Sequence, residues 1–150
     1  MRLLVDTNVA LDALARREPF YEKARLLFLL GYAHEAELWM SASQMTDVFY
    51  IYTGGRRSLA IEGKKRMKLL RKCVHVVTFG EAEFDEALSS TWADLEDACV
   101  YQAARRAKAD FIITRDTKGF KQSPIRVFDC DEFFDYLERE KGIVYDEVEF

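Results

Sequence analysis

The chain has 150 residues, 49% of them apolar and 32% charged, with seven glycines and two prolines; this profile of one folded domain excludes fibrous, collagenous and disordered classes. Three cysteines, Cys73, Cys99 and Cys130, are odd in number and form no CxxC pair, and only His34 and His75 supply imidazole, so a disulfide framework, a thiolate zinc site and a His-rich metal site are all disfavoured. The net charge of −4 disfavours a uniformly basic nucleic-acid binder, but the charge is arranged in blocks, with residues 56–72 summing to +7 and residues 73–100 to −7. No apolar run approaches the roughly 20 residues of a membrane span, and Asp6 interrupts the amino terminus before a signal-peptide core develops. The expectation is a soluble cytoplasmic protein with no membrane contact.

In chain order, Arg2–Asp6 (RLLVD) is a short unbroken apolar run, as a strand buried on both faces requires. Phe20, Ala24, Leu27 and Phe28 recur at helical spacing after Pro19, which suits a first helical turn, and Gly31 suits the exit. Ser41 or Ser43 caps a second helix with Met45, Val48, Phe49 and Tyr52 on one side. A third helix from about Arg57 to Lys72 holds most of a basic stripe in which Arg56, Arg57, Lys64, Lys65, Arg66, Lys68, Arg71 and Lys72 face the single Glu62. Such a stripe suits phosphates, and a solvated helix face would look the same. Val74–Thr78 reads as a weaker strand, and a fourth helix spans about Glu81 to Ser90. Thr91 or Asp94 opens a fifth, with Val100, Tyr101, Ala104 and Ala107 on its apolar side. Asp110–Thr114 (DFIIT) is a second buried strand, Ile125–Phe128 a weaker one, and Asp131 caps a last helix to about Glu140. The tail from Ile143 to Phe150 suits a short strand or a disordered end. Strands alternating with helices imply an α/β domain with a central parallel sheet of four to five strands flanked by helices.

In open α/β sheets ligands bind at the carboxyl ends of strands. Asp6 ends the first strand, and Asp116 lies two residues past Thr114 at the end of another. Each also suits a local role, Asp6 as a cap and Asp116 in an Asx turn. Asp94, Glu96 and Asp97 lie in one first helical turn, where acids complement the helix dipole. Asp97, however, is spaced i+3, i+4 and i+7 from Val100, Tyr101 and Ala104, which sets it beside the buried stripe with no cation at pairing distance along the helix. Asp47 falls nearly opposite Met45, Val48, Phe49 and Tyr52, as a surface residue does. If these carboxylates converge, two charges about 4 Å apart repel by roughly 4 kcal/mol at an effective dielectric near 20, so the cluster needs protons or a cation. Oxygen-only ligands select Mg2+ or Mn2+, and such ions suit phosphodiester hydrolysis.

These residues resemble a PIN-domain ribonuclease, most like the VapC-type toxins of toxin–antitoxin pairs. The resemblance rests on VDTNVALDAL, SASQMTDVFYIY and DLEDACVYQAARRAKADFIITRDTKGF, in that order, followed by a final short strand and helix. It implies a single PIN-like nuclease domain over residues 1–150 and a metal-dependent endoribonuclease. Asp6, Asp47, Asp97 and Asp116 match the family's four acids, with Asp6, Asp97, Asp116 and the auxiliary Asp94 toward Mg2+ or Mn2+. Asn8 and Thr114 match polar residues that orient the acids, and Glu96 is left unassigned because its helical phase differs from that of Asp97. The resemblance also implies an RNA substrate tracked by Arg56, Arg57, Lys64, Lys65 and Lys68, a cognate antitoxin and a homodimer. The chain departs from the family pattern where Asp47 replaces the usual glutamate, and where Gly119 stands at a position that is often acidic.

Two other readings stand beside this one. A non-catalytic PIN-like module would bind RNA or a protein without cutting. A haloacid-dehalogenase-like phosphatase also begins with an apolar strand ending in Asp, but it needs an acid where this chain has Asn8. Neither a P-loop nor a dinucleotide fingerprint occurs.

Overall fold

The computed structural model describes residues 1–145. Strands β1 (Arg2–Val5), β2 (Glu37–Ser41), β3 (Val74–Val77), β4 (Phe111–Ile113) and β5 (Arg126–Phe128) form one parallel sheet in the order β3-β2-β1-β4-β5. Helices α1 (Thr7–Leu14), α2 (Tyr21–Tyr32), α3 (Ala42–Thr53), α4 (Ala60–Cys73), α5 (Glu81–Ser89), α6 (Leu95–Arg106) and α7 (Cys130–Lys141) cover it. No described helix is long and apolar enough to cross a membrane.

The short strands are apolar throughout because both faces are buried, and the two-residue alternation divides them between two cores. Leu3, Val5, Leu38, Met40 and Ile113 face the larger core, packed by α1, α2, α3 and α7. Leu4 and Ile112 face the smaller one with Val100, Ala103 and Ala104 of α6, and α5 packs against α6. Small residues let α6 lie close over β1 and β4, so its first turn reaches the carboxyl ends of those strands. Each fully buried Leu or Ile adds roughly 1.5–3 kcal/mol.

The structure departs from the sequence reading at several element boundaries. The Glu37–Ser41 segment, not anticipated as a strand, pairs with both β1 and β3. Its Leu, Met and Glu residues prefer helices in isolation, so pairing on both sides decides the matter. Helix α2 begins at Tyr21 rather than at Pro19, and Gly31 lies within its last turn rather than at its exit. A Cβ on Gly31 would collide with the Cys73 carbonyl oxygen and Leu38, so this glycine permits a close crossing. The basic segment opens with a 3-10 turn at Arg57–Leu59 before α4. Asp129, not Asp131, caps α7, and it forms a reciprocal pair with Glu132. Ile143, Val144 and Tyr145 are not in a strand, and the rest of the tail considered as one lies outside the described residues.

Candidate metal centre

Strand β1 ends at Asp6, whose extended backbone makes it the cap of α1. The Asp6 side chain is 6% exposed, yet no cation pairs with it among the described residues. Neutral donors satisfy it instead. The Thr7 backbone N–H donates to Oδ1 at 2.7 Å, the Thr114 hydroxyl to Oδ2 at 2.8 Å, and the Asn8 amide to the same Oδ2 at 3.4 Å. Thr114 leaves β4 beside β1, and its Oγ1 accepts from the Asp116 backbone N–H at 3.1 Å. Asn8 also donates to Thr114 Oγ1 at 3.4 Å and accepts from the Arg115 N–H at 3.3 Å. These bonds lock two adjacent strand exits together.

Asp116 opens a 3-10 turn at Thr117–Phe120, and its Oδ1 accepts from the Gly119 N–H at 3.2 Å. Asp94 caps α6 by accepting from the Asp97 N–H at 3.0 Å, so the local capping role holds for it. Gly119 shows how close the carboxylates come. A Cβ there would lie 2.5 Å from Asp97 Oδ2 and 2.8 Å from Asp116 Oδ2, so both oxygens crowd the space over one glycine. Any side chain at this position would have to shift them.

The charges interact as this geometry requires. Burial chiefly, and then Asp94, Asp6, Asp116 and Glu96, push the Asp97 carboxyl up to about 7. Its oxygens accept no hydrogen bond and make no ion pair among the described residues. The Asp6 carboxyl is raised by burial, with Thr114 and Thr7 acting against the shift and Asp116 and Asp94 adding to it. Glu96 is raised by burial and then by Asp6, Asp47 and Asp94. Glu96 therefore belongs to the cluster. Its helical phase concealed this, because at a helix start residues on different sides of the axis can both come near the same strand exit.

Asp6, Asp94, Asp97 and Asp116 are thus brought together with Glu96. Asp47 is exposed on α3, as its helical position predicts, and acts on Glu96 rather than figuring among the charges that raise Asp6 and Asp97. Arg56, Arg57, Lys64, Lys65 and Lys68 are all exposed, and none pairs with these acids; Arg56 Nε reaches only the Thr53 carbonyl, at 3.5 Å. Among the described residues no three acid, imidazole or thiol side chains already form a metal cage. The donor set nevertheless fits a hard divalent cation: it is all oxygen, it has no internal counter-charge, and its least satisfied member, Asp97, has both oxygens open.

A doubly wound parallel sheet with acids at the carboxyl ends of its central strands is the architecture of an acidic-site α/β domain. Residues 2–118 match the PIN domain family, and the chain belongs to it. No curated protein matches the sequence significantly. Among solved structures, the chain is similar to one of VapBC2 from Rickettsia felis bound to a DNA fragment from their promoter. That similarity has a TM-score of 0.63 and 14% identity, over 86% of this chain and 98% of that one. It is also similar to PAE2754 from Pyrobaculum aerophilum, with a TM-score of 0.59 and 14% identity, over 89% of this chain and 86% of that one. Both likenesses concern the fold.

Proposed function

We propose that the protein is a Mg2+- or Mn2+-dependent endoribonuclease that acts in the cytoplasm as the toxin of a toxin–antitoxin pair. The observation that supports this most is Asp97, a carboxylate with no hydrogen-bond or cation partner, raised to about 7 by burial and four acidic neighbours. Such a group gains from a divalent cation more than from any group the chain supplies. Membership of the PIN domain family points the same way. The Rickettsia felis structure, a VapBC complex on promoter DNA, motivates the toxin–antitoxin part of the reading.

In this reading Asp6, Asp97 and Asp116 would hold the ion, with Asp94 beside them. A bound divalent ion supplies Lewis acidity toward a phosphodiester and lowers the pKa of water. The Thr114 hydroxyl and Thr7 N–H keep Asp6 oriented and favour its ionised form. Asp47 would help bind the ion or orient the attacking water, with Glu96 near it. Arg56, Arg57, Lys64, Lys65 and Lys68 bind the RNA backbone. A homodimer, and an antitoxin that covers the acidic site, complete the proposal.

The test is Mn2+ binding by calorimetry at neutral pH, followed by RNA cleavage. The expected result is saturable binding in the wild type, loss of measurable heat in Asp6→Asn and Asp116→Asn, and no cleavage by Asp97→Asn. Binding that survives both substitutions would remove the shared site. RNA bound but left intact in the presence of Mn2+ would favour the non-catalytic module.

A further inference from the structure

Asp12 lies on α1 one turn beyond Asn8 and is 1% exposed, a depth at which an isolated carboxylate is costly. Its Oδ2 accepts from Arg115 Nε at 2.8 Å, and its Oδ1 is buried without a hydrogen-bond partner among the described residues. Burial raises the Asp12 carboxyl above the ordinary aspartate range, against the opposing pull of Arg115 and Arg17. Arg115 is held on its other side too, because its guanidinium lies over the Phe20 ring at 4.4 Å from the centroid.

The position of Arg115 in the chain gives this pair its reach. It stands between Thr114, which donates to Asp6, and Asp116, which faces Asp97 across Gly119. Its backbone N–H donates to Asn8 Oδ1 at 3.3 Å, while its side chain grips Asp12 one turn further along the same helix. The loop leaving β4 is therefore tied to α1 at two levels. Arg115 pairs with Asp12 and is not among the principal influences on Asp6 or Asp97. It anchors the loop without neutralising the acids in front of it.

We infer that the Asp12–Arg115 pair is a positioning brace that holds the Thr114–Asp116 loop against α1 and thereby keeps Asp116 within reach of Asp6 and Asp97. The inference rests on the reading of the acid cluster as a metal site. The clustered acids disfavour one another's charge, and apart from the ion pair the loop is tied to its surroundings by hydrogen bonds to Asn8 and Thr114. The brace adds an ion pair whose carboxylate is buried and whose guanidinium packs on Phe20. Both residues act through Asn8 and the loop backbone.

The experiment uses the full-length, metal-free protein as wild type, Asp12→Asn, Arg115→Gln and the double variant. It measures Mn2+ affinity by calorimetry, amide hydrogen exchange at Arg115 and Asp116 by NMR, and unfolding stability. Each single variant is expected to lower Mn2+ affinity about 10- to 100-fold, the usual loss when a group that orients a ligand is removed. Exchange at Arg115 and Asp116 should accelerate relative to Leu4 and Val5 of β1. The double variant, which leaves no unpaired buried charge, should regain stability without regaining affinity or local protection.

Affinity and local exchange that stay at wild-type levels while stability falls would overturn the brace, as would affinity that returns together with stability in the double variant. A wild type that takes no Mn2+ would defeat the nuclease reading alone, and exchange at Arg115 and Asp116 would then decide the brace: faster in the single variants upholds it, unchanged overturns it. Should those variants fail to fold, Arg115→Lys, which keeps the charge but loses the planar fork and the stacking, is read by the same two measurements with the same expectations.

Discussion

Two aspartates of one short segment, Asp6 and Asp12, are both buried and both raised by that burial, yet they are satisfied in opposite ways. Asp12 has a cation, Arg115, and an aromatic ring that holds the cation in place. Asp6 has only neutral donors, and its nearest influences beyond them are the further acids Asp116 and Asp94. On the proposed reading, the charge that serves architecture is paired within the chain, and the one that serves a ligand is oriented and left electrostatically open. The pairing at Asp12 makes the openness at Asp6 affordable.

Breaking the paired side should have the largest effect. Arg115→Ala leaves Asp12 without its cation and is expected to cost about 3 kcal/mol of stability, read from urea unfolding at pH 7. Filling the open side is gentler on the fold and harder on the site. Gly119→Ala sets a methyl against Asp97 Oδ2 and Asp116 Oδ2, with an expected loss in Mn2+ affinity of about tenfold by calorimetry and little change in unfolding midpoint.

Relieving the open side should have the opposite sign. Asp97→Asn removes a repelled carboxylate and is expected to raise the stability of the metal-free protein at pH 8 by about 1 kcal/mol. The pH dependence follows from the folded-state value near 7 against an ordinary 3.8. Between those values the folded protein retains a proton that the unfolded chain has lost. Asp97 therefore makes metal-free stability fall as pH rises through this window and then level off above it. Urea midpoints measured from pH 4 to 8 should show this component in the wild type and lack it in Asp97→Asn. The smallest effect belongs to the basic stripe. Replacing Lys64, Lys65 and Lys68 together with Ala should lower the slope of log affinity for single-stranded RNA against log salt by about 2, with Mn2+ binding unchanged.

Much of the site was legible in the sequence because acids at strand exits and caps at helix starts are local features. Asp6, Asp94 and Asp116 all lie within a residue or two of a strand end or helix start. Asp97 was flagged by its spacing from Val100, Tyr101 and Ala104. Glu96 escaped because helical phase is a poor guide in a first turn, where residues on different sides of the axis can both come near the same group. Asp12 escaped as well, since nothing near it in the chain hints that its partner is Arg115, brought to it because β1, which leads into α1, pairs with β4.

The same division runs through the fold. Local chemistry determined that strands would be short, apolar and parallel, that Ser41 or Ser43 would cap a helix, and that a basic helix would follow, because side-chain periodicity and capping act over a few residues. Only the tertiary structure decided that Glu37–Ser41 is a strand, since backbone pairing on both sides outweighed its own helical leaning. Tertiary packing likewise set Gly119 beneath two carboxylates and gave Asp12 a cation while giving Asp6 none. Electrostatic energy depends on distance in space, and that distance exists only once the sheet has brought β1, β4 and the first turn of α6 together.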